Sequence, residues 1–103
     1  MPTGILGQSA PSATTNTTVY TVPSAKVATF NVNIVNRGST AVLVRLAIAG
    51  TSSPANSEWI EYDASIEANG VLERSGFVAQ AAENVVVYAS TANTSVSVYG
   101  YEE

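Results

Sequence analysis
The chain has 103 residues, no cysteine, no histidine and a formal net charge of −4. That length fits one domain of the common ~50–200 residues, and the missing residue types exclude a disulfide scaffold, thiolate zinc sites, a cysteine nucleophile and an imidazole base. Lys26, Arg37, Arg45 and Arg74 are the only cationic side chains, too few and too scattered to neutralise the phosphates of a nucleic acid or to grip an anionic membrane.

In chain order, Met1 to Thr18 mixes Pro2, Pro11, Gly4 and Gly7 with Ser, Thr, Gln and Asn, and its large apolar residues are Ile5 and Leu6. Such a stretch cannot offset its own ordering entropy, so residues 1–18 are expected to form an extended arm ahead of a domain spanning 19–103. The arm is expected to touch another protein chain, anchored by Ile5 and Leu6. No basic n-region or apolar h-region follows Met1, so no signal peptide is expected. The longest nearly apolar run, Thr40 to Gly50, is interrupted by Arg45 and falls short of the ~20 residues of a membrane-spanning helix. A soluble protein is the expectation.

Beyond the arm the hydrophobic period is two. Tyr20 to Val22 is a short strand ended by Pro23, which has no N–H for a ladder. Ala28, Phe30, Val32 and Ile34 alternate with Thr29, Asn31 and Asn33, the pattern of a half-buried antiparallel strand. After the turn composition of Asn36 to Thr40, Val42, Val44, Leu46 and Ile48 alternate with Leu43, Arg45 and Ala47. This second strand is expected centrally, in a long hairpin with the one before it. Thr51 to Ser57 is a loop. Trp59 to Glu67 alternates again, with Ile60, Tyr62, Ala64 and Ile66 facing inward. Asn69-Gly70 is a hairpin signal, from which Val71 to Arg74 returns before Gly76 interrupts. Ala79 to Glu83 reads as a helical turn or a loop. Asn84 to Ser90 and Ser95 to Tyr101 close the chain, the latter with Val96 and Val98 inward and Ser97 and Tyr99 outward. About seven short strands without a helix predict an all-β fold, an antiparallel β-sandwich of immunoglobulin-like or jelly-roll type. Its predicted core is Phe30, Val32, Ile34, Val44, Leu46, Ile60, Val87 and Val98.

Little in this sequence carries chemistry. Glu61, Asp63 and Glu67, with Glu58 nearby, share outward parity, which suits a solvated face better than the opposed carboxyls of a glycosidase. No D-x-D-x-D-G calcium loop is present. The serines lack a base, and Ser24-Ala25-Lys26 is only a turn composition. Asn16-Thr17-Thr18 and Asn93-Thr94-Ser95 match a glycosylation pattern that a threonine-rich chain produces by chance. Trp59 has two open readings: an exposed interface or sugar-stacking ring, or a ring folded over the edge of the core. No enzymatic activity, cofactor or metal site is expected.

Several segments carry a resemblance. Leu6-Gly7-Gln8-Ser9 leads to Thr17-Thr18-Val19-Tyr20-Thr21-Val22-Pro23. Val32-Asn33-Ile34-Val35-Asn36-Arg37-Gly38 and Val44-Arg45-Leu46-Ala47-Ile48 follow, then Trp59-Ile60-Glu61-Tyr62-Asp63 and Val87-Tyr88-Ala89-Ser90. The chain closes on Val96-Ser97-Val98-Tyr99-Gly100-Tyr101-Glu102-Glu103. In this order they resemble small virion structural proteins of tailed bacteriophages, particularly those infecting cyanobacteria. The resemblance implies a β-sandwich in the virion, present in the host cytoplasm before assembly, with no activity, cofactor or catalytic residue to carry over. The capsid decoration or cement role implies the major capsid protein as partner; a tail, baseplate or fibre accessory implies tail components. A homo-oligomer is expected, and a trimer would favour a decoration or fibre role. Ile5, Leu6, Trp59, Tyr99 and Tyr101 are the expected partner-binding residues. From another class, a host-glycan-binding module would use Trp59 and the tyrosines.

Overall fold
Alternating apolar and polar side chains suit an extended chain with one wet face. The computed structural model, which describes residues 3–103, contains eight such segments. They are β1 (Thr3–Ser9), β2 (Thr17–Thr21), β3 (Val27–Asn36), β4 (Val42–Ala49), β5 (Trp59–Ile66), β6 (Val71–Gln80), β7 (Asn84–Ala89) and β8 (Thr94–Glu102), with a short 3-10 turn at Asn56–Glu58. They build two four-stranded antiparallel sheets, one in the order β1-β8-β3-β6 and the other β2-β7-β4-β5.

The pairing is nested. β1 pairs with β8, β2 with β7, β3 with β6 and β4 with β5. Contacts of β3 with β8 and of β4 with β7 then complete the sheets. The chain is thus a ribbon doubled at the β4–β5 loop and wrapped on itself. β4 and β5 are the one consecutive pair that shares a sheet among the described residues.

This wiring corrects four expectations. β3 and β4 do not form a hairpin; the Asn36–Thr40 turn carries the chain from one sheet to the other. Alternation fixes which side of a strand is buried but not which strand lies beside it, and β3 and β4 meet across the core. The Asn69-Gly70 turn is tight, with Gly70 N–H donating to Glu67 O at 2.9 Å and Asn69 at φ 60°. It also crosses between sheets, and the Gly70 carbonyl accepts from the Asn36 N–H at 2.9 Å. At Ala79 there is no helical turn: β6 continues to Gln80.

The fourth correction concerns the arm. Residues 3–9 are an integral edge strand in register with β8, from Thr3 opposite Tyr101 to Ser9 opposite Val96. Backbone hydrogen bonds order a segment whose side chains could not, which is why composition missed it and why the strand count is eight rather than seven. Leu6 packs on the core. Gly7 passes so close to β2 that a Cβ there would lie 2.4 Å from the Val19 carbonyl oxygen. Met1 and Pro2 of the expected arm lie outside the described residues.

Between the sheets, Phe30, Val32, Ile34, Val44, Leu46, Val87 and Val98 are all buried, as their shared parity predicts, joined by Val22, Val42, Val85 and Val96. Each such side chain contributes roughly 1.5–3 kcal/mol on leaving water. Ile60 is only partly buried, because it is the extra residue in a bulge: Leu46 pairs with Glu61 and Ala47 with Trp59.

Candidate functional site
The outer face of the β2-β7-β4-β5 sheet is shaped by a second bulge. Val44 pairs with Ala64 and Leu46 with Glu61, so Arg45 alone faces both Tyr62 and Asp63. Asp63 takes φ 55°, a region that Asp tolerates better than most side chains. The extra residue turns Tyr62 outward, 57% exposed, where strict alternation predicts it inward.

Around Arg45 the groups form a ladder. Its Nε donates to Asp63 Oδ1 at 2.7 Å and its Nη2 to Oδ2 at 3.4 Å. The guanidinium carbon lies 4.2 Å from the Tyr62 ring centroid and 4.3 Å from that of Tyr88. Trp59 extends the row, edge to face with Tyr62 at 5.5 Å between centroids. The hydrogen bond to Asp63 strengthens the guanidinium's hold on its proton, partly opposed by burial. An exposed ion pair of this kind, like an exposed cation–π contact, contributes little to stability. The ladder therefore fixes the geometry of a surface more than it stabilises the fold. Trp59 is half-buried, with its ring against Tyr62.

The acidic residues do not form one solvated face. The bulges send Asp63 to Arg45 and Glu61 to Arg74 of β6, an ion pair that ties the edges of the two sheets. Glu58 closes its own loop, accepting from Gly50 N–H at 3.1 Å and Ala55 N–H at 2.7 Å. Glu67 stays exposed. Among the described residues no three acidic side chains gather as a metal site, no pocket opens, and no helix is long and apolar enough to cross a membrane.

The outer face of the β1-β8-β3-β6 sheet runs in rows. Gln8, Ser97, Asn33 and Glu73 lie in register, as do Ile5, Tyr99 and Asn31, and Thr3, Tyr101, Thr29 and Val78. The Tyr99 hydroxyl donates to Glu73 Oε2 at 3.2 Å; desolvation, then this carboxylate, raises the phenol above its ordinary pKa. Asn31 Oδ1 accepts from Gly76 N–H at 3.2 Å and so holds the bulge of β6, where Gly76 sits at φ 80°. Ile5, Tyr101 and Val78 leave a broken apolar strip in water.

Of the residues singled out in the sequence, Ile5, Tyr99 and Tyr101 come together on this face. Leu6, the next residue along β1, faces the other way and packs on the core. Trp59 lies on the opposite sheet. Sequence reasoning missed Arg45, Tyr62 and Tyr88 as a group. The available signal was a single arginine inside an otherwise apolar strand, a charge that needs partners wherever it points. Comparison of the chain with known protein families, with curated proteins and with solved structures finds no match.

Proposed function
We propose that this chain is a non-enzymatic structural protein of a bacteriophage particle, a decoration or cement protein seated on the shell of the major capsid protein. The observation that carries the reading is the wiring. An immunoglobulin-type sandwich sets several consecutive strands side by side, whereas here β4 and β5 alone do so among the described residues. Sheets of order β1-β8-β3-β6 and β2-β7-β4-β5 follow the double-sheet jelly roll, an architecture that includes viral capsid and lectin domains. That is an analogy of architecture, and the resemblance of the sequence to phage virion proteins points the same way. Outer faces that open no pocket among the described residues suit docking of surface on surface. The Ile5, Tyr99 and Tyr101 patch has the tyrosine-rich character of interface cores, and repetition of a modest contact over many copies supplies avidity. The protein in this reading needs no cofactor, nucleic acid or membrane, and works as a homo-oligomer.

The test is gold labelling of purified particles with an antibody to this chain, together with its copy number relative to the shell protein. Label over the head at a fixed ratio is the expected result. Label on the tail or fibres moves the protein to the accessory role, and absence from the particle overturns the reading. One observation favours a second reading: the Trp59–Tyr62–Arg45–Tyr88 ladder combines rings with a guanidinium and a carboxylate, groups that bind sugars. Glycan-array binding that is lost in Tyr62→Ala would support a host-glycan module.

A further inference from the structure
We propose that β1 is an exchangeable strand: residues 3–11 of one copy leave their own sheet and dock beside β8 of a second copy, which reciprocates. Three observations carry this. First, β1 is an edge strand and the one strand with no fully buried residue; Leu6 and, just beyond the strand, the buried Pro11 are the apolar side chains the exchange must move. Detaching it withdraws these two side chains, whose contacts the second copy restores, and leaves the β8 edge open as a template.

Second, the connection to β2 is strained. Ser12 to Asn16 is a largely exposed link, and within it Thr14 holds φ 54°. A β-branched residue in the left-handed region is a costly conformation. An extended link relieves it, at the expense of the hydrogen bond from Thr14 N–H to Ala89 O at 2.8 Å. Five extended residues span roughly 17 Å, enough to reach a neighbouring copy. Strained hinges of this kind invite domain swapping, because the docked contacts are the same within one chain or between two.

Third, the slot selects its own strand. It requires an apolar side chain at the Leu6 position followed by a residue without a Cβ, since any Cβ at Gly7 would strike the Val19 carbonyl. Most foreign strands fail that requirement, and a second copy of β1 meets it. The occupant is therefore another copy of this chain. The inference stands whether or not the particle reading does.

The absence of cysteine makes a clean test possible. Gln8 Nε2 donates to Ser97 Oγ across the β1–β8 pair at 3.4 Å on an exposed surface, so a Gln8→Cys/Ser97→Cys variant can cross-link the strand where it docks. Heavy-isotope and light samples of this full-length variant are mixed, incubated under native conditions, oxidised and weighed by mass spectrometry. The expected product is a heavy–light dimer joined reciprocally by two links between positions 8 and 97. Its ratio to monomer should rise about tenfold for a tenfold rise in protein while dimers are scarce. Adding Thr14→Gly, which accepts the left-handed conformation at no steric cost, should lower exchange several-fold. Links within single chains at every concentration overturn the proposal. So do dimers joined 8 to 8 or 97 to 97, which mark random collision. Exchange unchanged by Thr14→Gly overturns the strained-hinge mechanism.

Discussion
The β3–β8 pair runs the length of one sheet, and its two ends are closed by different chemistry. At one end Asn36, 1% exposed, shares its amide N–H groups among the carbonyls of Thr40 at 2.8 Å, Ile66 at 3.1 Å and Glu67 at 3.1 Å. Its carbonyl oxygen accepts from Gly38 N–H at 2.9 Å. At the other end Glu102, 4% exposed, accepts a hydrogen bond from the Tyr20 hydroxyl, and no lysine or arginine pairs with it among the described residues. A neutral group whose donors and acceptor are all used joins two turns and costs little to bury. A carboxylate with one neutral donor is held at the expense of its hydration. The first end is built for rigidity, and the second ties its stability to the proton of the Tyr20 phenol.

The largest expected effect comes from Asn36→Ala. It leaves three carbonyls and one N–H without their partner, and stability should fall by about 3–5 kcal/mol, read from the urea midpoint. A loss below about 1 kcal/mol would mean that water replaces the amide and that the contrast between the ends is false.

Tyr20→Phe comes next. It removes the hydroxyl that serves Glu102 and should cost about 2–4 kcal/mol near neutral pH. Adding Glu102→Gln should recover much of that loss, because the double variant buries no charge. Equal stability of the single and double variants would show that the carboxylate reaches water without the phenol.

The alkaline limb sharpens the same contrast. Burial, and then the neighbouring Glu102, raise the Tyr20 phenol well above its ordinary value. Below about pH 10 the folded and unfolded states both keep this proton. Above that, the unfolded chain releases it while the folded chain retains it. The native state then binds more protons, so stability falls as pH rises, by up to about 1.4 kcal/mol per pH unit from this one group. Urea titrations above pH 10 should show this slope, and Tyr20→Phe should flatten it. An unchanged slope would assign the effect to other tyrosines, Tyr99 among them.

The smallest effect belongs to the Asn36 end. Thr94 lies opposite Asn36, and its hydroxyl is buried without a partner. Thr94→Val keeps the shape and should stabilise by about 1 kcal/mol. A loss of similar size would reveal a hydrogen bond through water at this position.

How far the sequence could be read follows from what alternation encodes. Ala28, Phe30, Val32 and Ile34 announce their strand and its buried side, and the structure agrees residue for residue. Val96 and Val98 do the same. Alternation is silent about partners, so the β3–β4 crossing looked like a hairpin. It is also silent about bulges: one extra residue reverses parity, which put Tyr62 on the wrong side and hid the Arg45 ladder. β1 was missed for a third reason. Its order comes from backbone pairing with β8, and backbone hydrogen bonds leave no mark on side-chain composition. Asn36 was legible as a turn residue, but its reach to Ile66 and Glu67 depends on a turn about 30 positions away, as the separation in its hydrogen bond to Ile66 shows.

The nested pairing of β1 with β8, β2 with β7 and β3 with β6 has a consequence for synthesis. As the chain leaves the ribosome, its first three strands have no lasting neighbour in sequence, and each waits for one made near the end. The doubled tip of β4 and β5 is the one place where neighbouring strands can pair early. Closure must travel outward from there, with each step joining segments further apart, and chains dominated by such distant pairings fold on the order of milliseconds to seconds. Until the last strand emerges, β1 has nothing to lie against in its own molecule. Where several copies are being made side by side, the strand that finishes first can belong to a neighbour.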